Sequence, residues 1–72
     1  MPPAQLMKNS ETVIRIIRSF HEGEASPISV VRAAASQDNG MDIRAAEDTL
    51  CVLLEAGIIA TNDEMNLILN QD

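Results

Sequence analysis

Leu53-Leu54-Glu55-Ala56-Gly57-Ile58-Ile59-Ala60-Thr61-Asn62-Asp63-Glu64-Met65-Asn66-Leu67-Ile68-Leu69 is the stretch on which the reading of the fold turns. Gly57 reads as a helix stop, with Ile58 at the position where a glycine-capped C-terminus places its apolar contact. Ile58, Ile59 and Ala60 read as a short strand, Thr61 to Glu64 as a turn, and Met65, Leu67 and Leu69 alternate as a returning strand would. Thr61 and Glu64 also have the spacing of a capping box, so residues 63–70 can be read instead as a fourth helix. The β-branched pair Ile58-Ile59 ahead of the turn favours the hairpin.

Upstream, the pattern is helical. Asp42 caps a third helix running from Ile43 to Ala56, with Ile43, Ala46, Leu50, Leu53 and Leu54 as its apolar stripe. Before it, Ser26-Pro27 is a helix-start signal, Ser as N-cap and Pro at the first helical position. Ile28, Val30, Val31 and the alanines 33–35 fill that second helix. Ser36 to Gly40 is a loop, Asn39-Gly40 supplying the positive φ of a turn. A first helix begins with Asn9 or Ser10 as cap, carries Val13, Ile14, Ile16, Ile17 and Phe20 on one side, and stops at Gly23. Residues 1–9 are expected to be a flexible tail and residues 10–70 a single domain. The fold class is therefore mainly α with a small β-hairpin; a four-helix all-α arrangement is the alternative.

The length of 72 residues and the 46% hydrophobic content suit one small globular domain with an aliphatic core, since Phe20 is the single aromatic. Such a core leaves little free energy to hold a strained active site, so the chain is expected not to be an enzyme and to carry no cofactor. One cysteine, Cys51, excludes an internal disulfide and any multi-cysteine zinc site. Neither a basic-then-apolar leader nor a run of roughly 18 apolar residues is present, and a cytoplasmic or nuclear location without membrane contact is expected.

The net charge of −6 is unevenly spread. Residues 1–37 hold four basic side chains against three acidic ones, whereas residues 38–72 hold Arg44 alone against eight acids. Binding to phosphates draws its affinity from cations, so the acidic half points to a basic partner.

Three helices followed by Leu53-Leu54-Glu55-Ala56-Gly57-Ile58-Ile59 and a hairpin resemble the winged helix-turn-helix superfamily. Thr12-Val13-Ile14-Arg15-Ile16-Ile17, Ala45-Ala46-Glu47-Asp48-Thr49-Leu50 and Gly57-Ile58-Ile59-Ala60-Thr61-Asn62-Asp63-Glu64 are similar to the C-terminal winged-helix domain of the replication protein A middle subunit. That resemblance implies an acidic module that binds short basic helices of DNA-repair proteins, with a partner surface around the wing at Glu55, Thr61, Asp63 and Glu64. The chain departs from that family at Ala60, where an aromatic is usual, and at Met65-Asn66-Leu67, where aromatic or basic residues are usual.

Function is therefore expected to be non-catalytic. The main reading is an acidic module that binds a basic segment of a partner protein, in a DNA-maintenance or transcription complex, through Glu55, Ile58, Thr61, Asp63 and Glu64. Leu54, Ile58 and Ile59 would line an apolar groove, and Asp63, Glu64 and Glu55 would supply the attraction. The alternatives are a small dimeric DNA-binding transcriptional regulator contacting phosphates through Arg15, Arg18, Arg32 or Arg44, and a small acidic inhibitor that mimics nucleic acid. Arg44, Asp48, Cys51 and Glu55 form the exposed face of the third helix, an acidic surface poorly suited to reading base edges. Arg15 and Arg18 also suit ordinary surface pairs with Glu11 and Glu22. Val52 is read as part of a broad buried stripe, or else as the edge of a partner surface. His21 lacks a second convergent ligand at metal-binding spacing, and the 38–42 segment fails every diagnostic calcium-loop position.

Overall fold

The computed structural model describes residues 2–37 and 41–70. Its elements in chain order are α1 (Pro3–Ser19), α2 (Pro27–Ala35), α3 (Ile43–Glu55), β1 (Ile59–Thr61) and β2 (Leu67–Leu69). The two strands pair antiparallel with Ile59 opposite Leu69, Ala60 opposite Ile68 and Thr61 opposite Leu67. This is a mainly α chain with a small hairpin, a three-helix, winged-helix-like arrangement. Residues 67–69 are strand, so the fourth helix does not form.

Several signals act as expected. The Ser26 hydroxyl oxygen accepts from the Ser29 N–H at 3.2 Å, with Pro27 at the first helical position. The Asp42 carboxylate accepts from the Ala45 N–H at 2.7 Å at the start of α3. At the other end of α3, the N–H of Gly57 donates to Leu54 and that of Ile58 to Leu53, the paired bonds of a Schellman motif. Gly57 adopts φ +76°, the left-handed conformation that the motif requires.

Two helix boundaries differ. α1 begins at Pro3, so residues 3–9, expected in the tail, are helical and Asn9 is buried rather than a cap. The Gln5 side-chain N–H donates to the Asn9 side-chain oxygen at 2.9 Å, which lets an otherwise poor helix former sit inside the helix. The helix also ends earlier, at Ser19, with Phe20 already extended. Gly23 (φ +82°) lies in the following turn, where the Glu24 N–H donates to the His21 carbonyl. Stopping there frees an extended segment: Ala25 forms an antiparallel bridge with Leu67, whose N–H donates to the Ala25 carbonyl at 2.7 Å. β2 is thus flanked by β1 on one side and Ala25 on the other. The expected Asn39-Gly40 turn lies outside the described residues.

The core collects Val13, Ile16 and Ile17 of α1, Val30, Val31 and Ala34 of α2, Ala46, Leu50 and Leu53 of α3, and Ile59 and Leu67 of the hairpin, with Ala25 and Met41. Ile14 and Phe20 pack against it from its edge. Thr49, fully buried among these residues, donates its hydroxyl to the Ala45 carbonyl at 2.7 Å. No buried side-chain nitrogen or oxygen among the described residues lacks a partner. None of the described helices is long and apolar enough to cross a membrane.

Candidate partner-binding surfaces

The turn of the hairpin is built by Asn62. Its side-chain oxygen accepts from the N–H groups of Glu64 (2.9 Å) and Asn66 (3.0 Å), while the Met65 N–H donates to the Asn62 carbonyl. Met65 takes φ +66°, so residues 62–66 form a three-residue loop closed by a left-handed bulge residue, a position commonly filled by glycine. Met65 is therefore not the start of an alternating strand; its side chain is exposed and β2 begins two residues later. Two further asparagines anchor the hairpin. The Asn66 side chain donates to the Gly23 carbonyl at 2.6 Å and that of Asn70 to the Gly57 carbonyl at 2.8 Å.

On this frame Glu55 ends α3, Ile58 follows the Gly57 cap, Thr61 ends β1, and Asp63 and Glu64 occupy the loop. All five side chains are exposed, Ile58 at 44%. They run from the end of α3 through β1 into its turn. α3 has no basic residue in its last turn to offset its C-terminal carbonyls, so Glu55 adds to a negative helix end.

The expected apolar groove is corrected. Ile59 is 1% exposed and belongs to the core, so it cannot line a groove with Ile58 and Leu54. Leu54 instead borders a groove of about 420 Å³ between α2 and α3, with Ile28, Val31, Ile43 and Leu50. Ile43 and Leu54, assigned to the buried stripe of the third helix, are 56% and 39% exposed, and the buried face is Ala46, Thr49, Leu50 and Leu53. Val52 is also exposed and outside the core stripe; at about 100° per residue it points roughly 160° away from Leu54. The groove was not found in the sequence because half of it comes from α2, and helical periodicity does not reveal which apolar residues of two helices meet. Exposed Ile28, off the α2 core positions Val31 and Ala34, was the available signal.

Arg44, Asp48, Cys51 and Glu55 are exposed on α3 as anticipated. The four candidate phosphate contacts are spread over three helices: Arg15, Arg18 and Arg32 each border a different cavity, and Arg44 stands on α3. Because α1 ends at Ser19, Glu22 lies beyond it and cannot make a helical i,i+4 pair with Arg18. His21 borders a cavity of about 380 Å³ with Phe20, Glu22 and β2. Among the described residues no group of three His, Cys, Asp or Glu side chains is placed to hold a metal ion.

Comparison with protein-family profiles, with curated proteins and with solved structures gave no match.

Proposed function

We propose that this chain is a non-catalytic, acidic winged-helix module that binds a basic segment of a partner protein through the wing and the C-terminal end of α3. The observation that carries this reading is the fixed loop bearing Asp63 and Glu64. Asn62 holds its backbone from within, and Asn66 fixes it to the turn at Gly23. Carboxylates on a pre-formed loop bind cations without first paying the entropy of ordering the loop. Glu55 and the uncompensated end of α3 extend the negative surface, and exposed Ile58 offers an apolar contact between them. The partner in this reading is a lysine- or arginine-bearing segment, helical or extended, with at least one apolar side chain for Ile58.

Arg44 is the sole basic residue of α3 and is exposed together with Asp48 and Glu55, which weighs against the DNA-binding alternative. A phosphate-binding surface brings its cations to one face, where each neutralised phosphate adds to a salt-dependent affinity.

The test is a titration of isotope-labelled protein with a lysine-rich amphipathic peptide and, separately, with a mixed-sequence DNA duplex, at low and physiological salt. Amide shifts centred on Glu55, Ile58 and residues 61–64 that weaken with salt are expected for the peptide. Reversing both charges, Asp63→Lys with Glu64→Lys, should weaken that peptide by about tenfold or more at low salt. Unchanged peptide affinity in the double variant, or salt-sensitive shifts with DNA on α1 or α3, would replace this reading.

A further inference from the structure

A second surface, separate from the wing, carries a proposal of its own. The α2–α3 groove is bordered by three of the large exposed apolar side chains of the molecule: Ile28 at 66%, Ile43 at 56% and Leu54 at 39%. Val31 and Leu50 form its buried floor. From Ile43 to Leu54 the groove follows three turns of α3, about 16 Å of helix. Isolated apolar side chains on a surface need no explanation, but three bordering one concave strip mark a contact.

The charges decide what fills it. The charged side chains lining the groove are Arg32 from α2 and Glu47 from α3, one of each sign, both exposed. A basic segment lying here would meet Arg32, and a phosphate backbone would meet Glu47. A second copy of the same chain meets neither obstacle. In a two-fold contact residue i of one patch meets residue j of the same patch on the other copy and j meets i, so residues away from the axis face different residues. Arg32 can then pair with Glu47 of the partner subunit, and Glu47 with Arg32 of the partner subunit, while the isoleucines and Leu54 close over one another. The surplus negative charge of the chain includes Asp63 and Glu64 on the wing and Glu22 and Glu24 in the α1–α2 turn, none of which lines this groove. Repulsion from such surface charges is screened over roughly 8–10 Å at ordinary salt.

We propose that the α2–α3 groove is a self-complementary interface through which two copies of this chain associate about a two-fold axis, with crossed Arg32–Glu47 pairs flanking an apolar strip of Ile28, Ile43 and Leu54. The association leaves the wing free, so the assembly displays two copies of the acidic loop. It also covers one flank of α3, which removes part of the surface that a helix-turn-helix protein would present to DNA.

The experiment is sedimentation of the full chain over a wide concentration range, with circular dichroism and thermal melts to establish that each variant is folded. Wild type is expected to show a concentration-dependent monomer–dimer equilibrium. Ile28→Asp and Ile43→Asp change side chains that are already largely exposed, and each should shift that equilibrium toward monomer by about tenfold or more. Arg32→Glu and Glu47→Arg, made singly, place like charges opposite one another and should also weaken the dimer about tenfold. The double exchange, Arg32→Glu with Glu47→Arg, restores both crossed pairs and should bring dimerisation back to near the wild-type level. A wild-type chain that stays monomeric at millimolar concentration would overturn the proposal, as would a double exchange no better than the single changes. Amide shifts centred on Ile28, Val31 and Ile43 upon adding the lysine-rich peptide or the DNA duplex, with none at residues 61–64, would also overturn it. The wing titration reads different residues, so either result can fail without the other.

Discussion

The side-chain oxygen of Asn62 accepts from two backbone N–H groups of the hairpin loop, so replacing it strips two partners at once. Asn62→Ala is expected to cost about 1–2 kcal/mol in urea unfolding, the range for hydrogen bonds lost at a partly buried site. Met65 is the opposite case. It holds a left-handed conformation that disfavours any side chain, and its own side chain is exposed. Met65→Gly should therefore stabilise the protein by up to about 1 kcal/mol, read as a higher denaturation midpoint with an unchanged slope. Gly57 separates backbone conformation from packing, because nothing lies within 4 Å of where a Cβ would stand. Its replacement by Ala should cost about 1–2 kcal/mol from the positive φ alone.

At the scale of the element, the caps and buried faces carry the weight. Ser26 accepts from the Ser29 N–H and also receives no help from an acidic residue in the first turn of α2, so the cap is the main support of that helix start. Ser26→Ala should destabilise by about 1 kcal/mol. On α3, Leu53 is 2% exposed while Leu54 beside it is 39% exposed. Leu53→Ala should cost about 3 kcal/mol in chemical denaturation, as for other leucines deleted from a packed core. Leu54→Ala should cost well under half of that, because less of its surface leaves water on folding. Equal effects at the two positions would contradict the orientation of α3.

Across the whole molecule, the three asparagines of the hairpin show how a small core is supplemented. α1, α2 and α3 pack around aliphatic side chains, and the hairpin adds Ile59 and Leu67 as fully buried members. Asn66 ties the hairpin to the α1–α2 turn and Asn70 ties it to the end of α3, so it is held at both ends by polar bonds. The Ala25 bridge adds a backbone bond to the same joint. Losing the Asn66 anchor should loosen the hairpin before the helices. Asn66→Ala is expected to speed amide exchange in β1 and β2 more than in α3.

The existence of three helices, the caps at Ser26 and Asp42 and the Gly57 stop were determined by local chemistry: capping oxygens and a residue free to take positive φ. The hairpin was only favoured over a fourth helix by the Ile58-Ile59 pair and is settled by the pairing of β2 with β1 and Ala25. Pro3 at the first helical position, followed by Ala4, Gln5, Leu6, Met7 and Lys8, also carried the true start of α1, although Asn9 and Ser10 resemble a cap more strongly. What the tertiary structure decided was which apolar residues the core uses. Helical spacing places Ile43, Leu50 and Leu54 on one side of α3, but the neighbouring helices cover only part of that side, so Leu50 is buried while Ile43 and Leu54 border a groove. Likewise, Ile58 and Ile59 are identical in chemistry, and only the pairing register and the packing of β1 expose one and bury the other. Local sequence specifies backbone conformation because its forces act over a few residues; burial depends on surfaces brought together from distant parts of the chain.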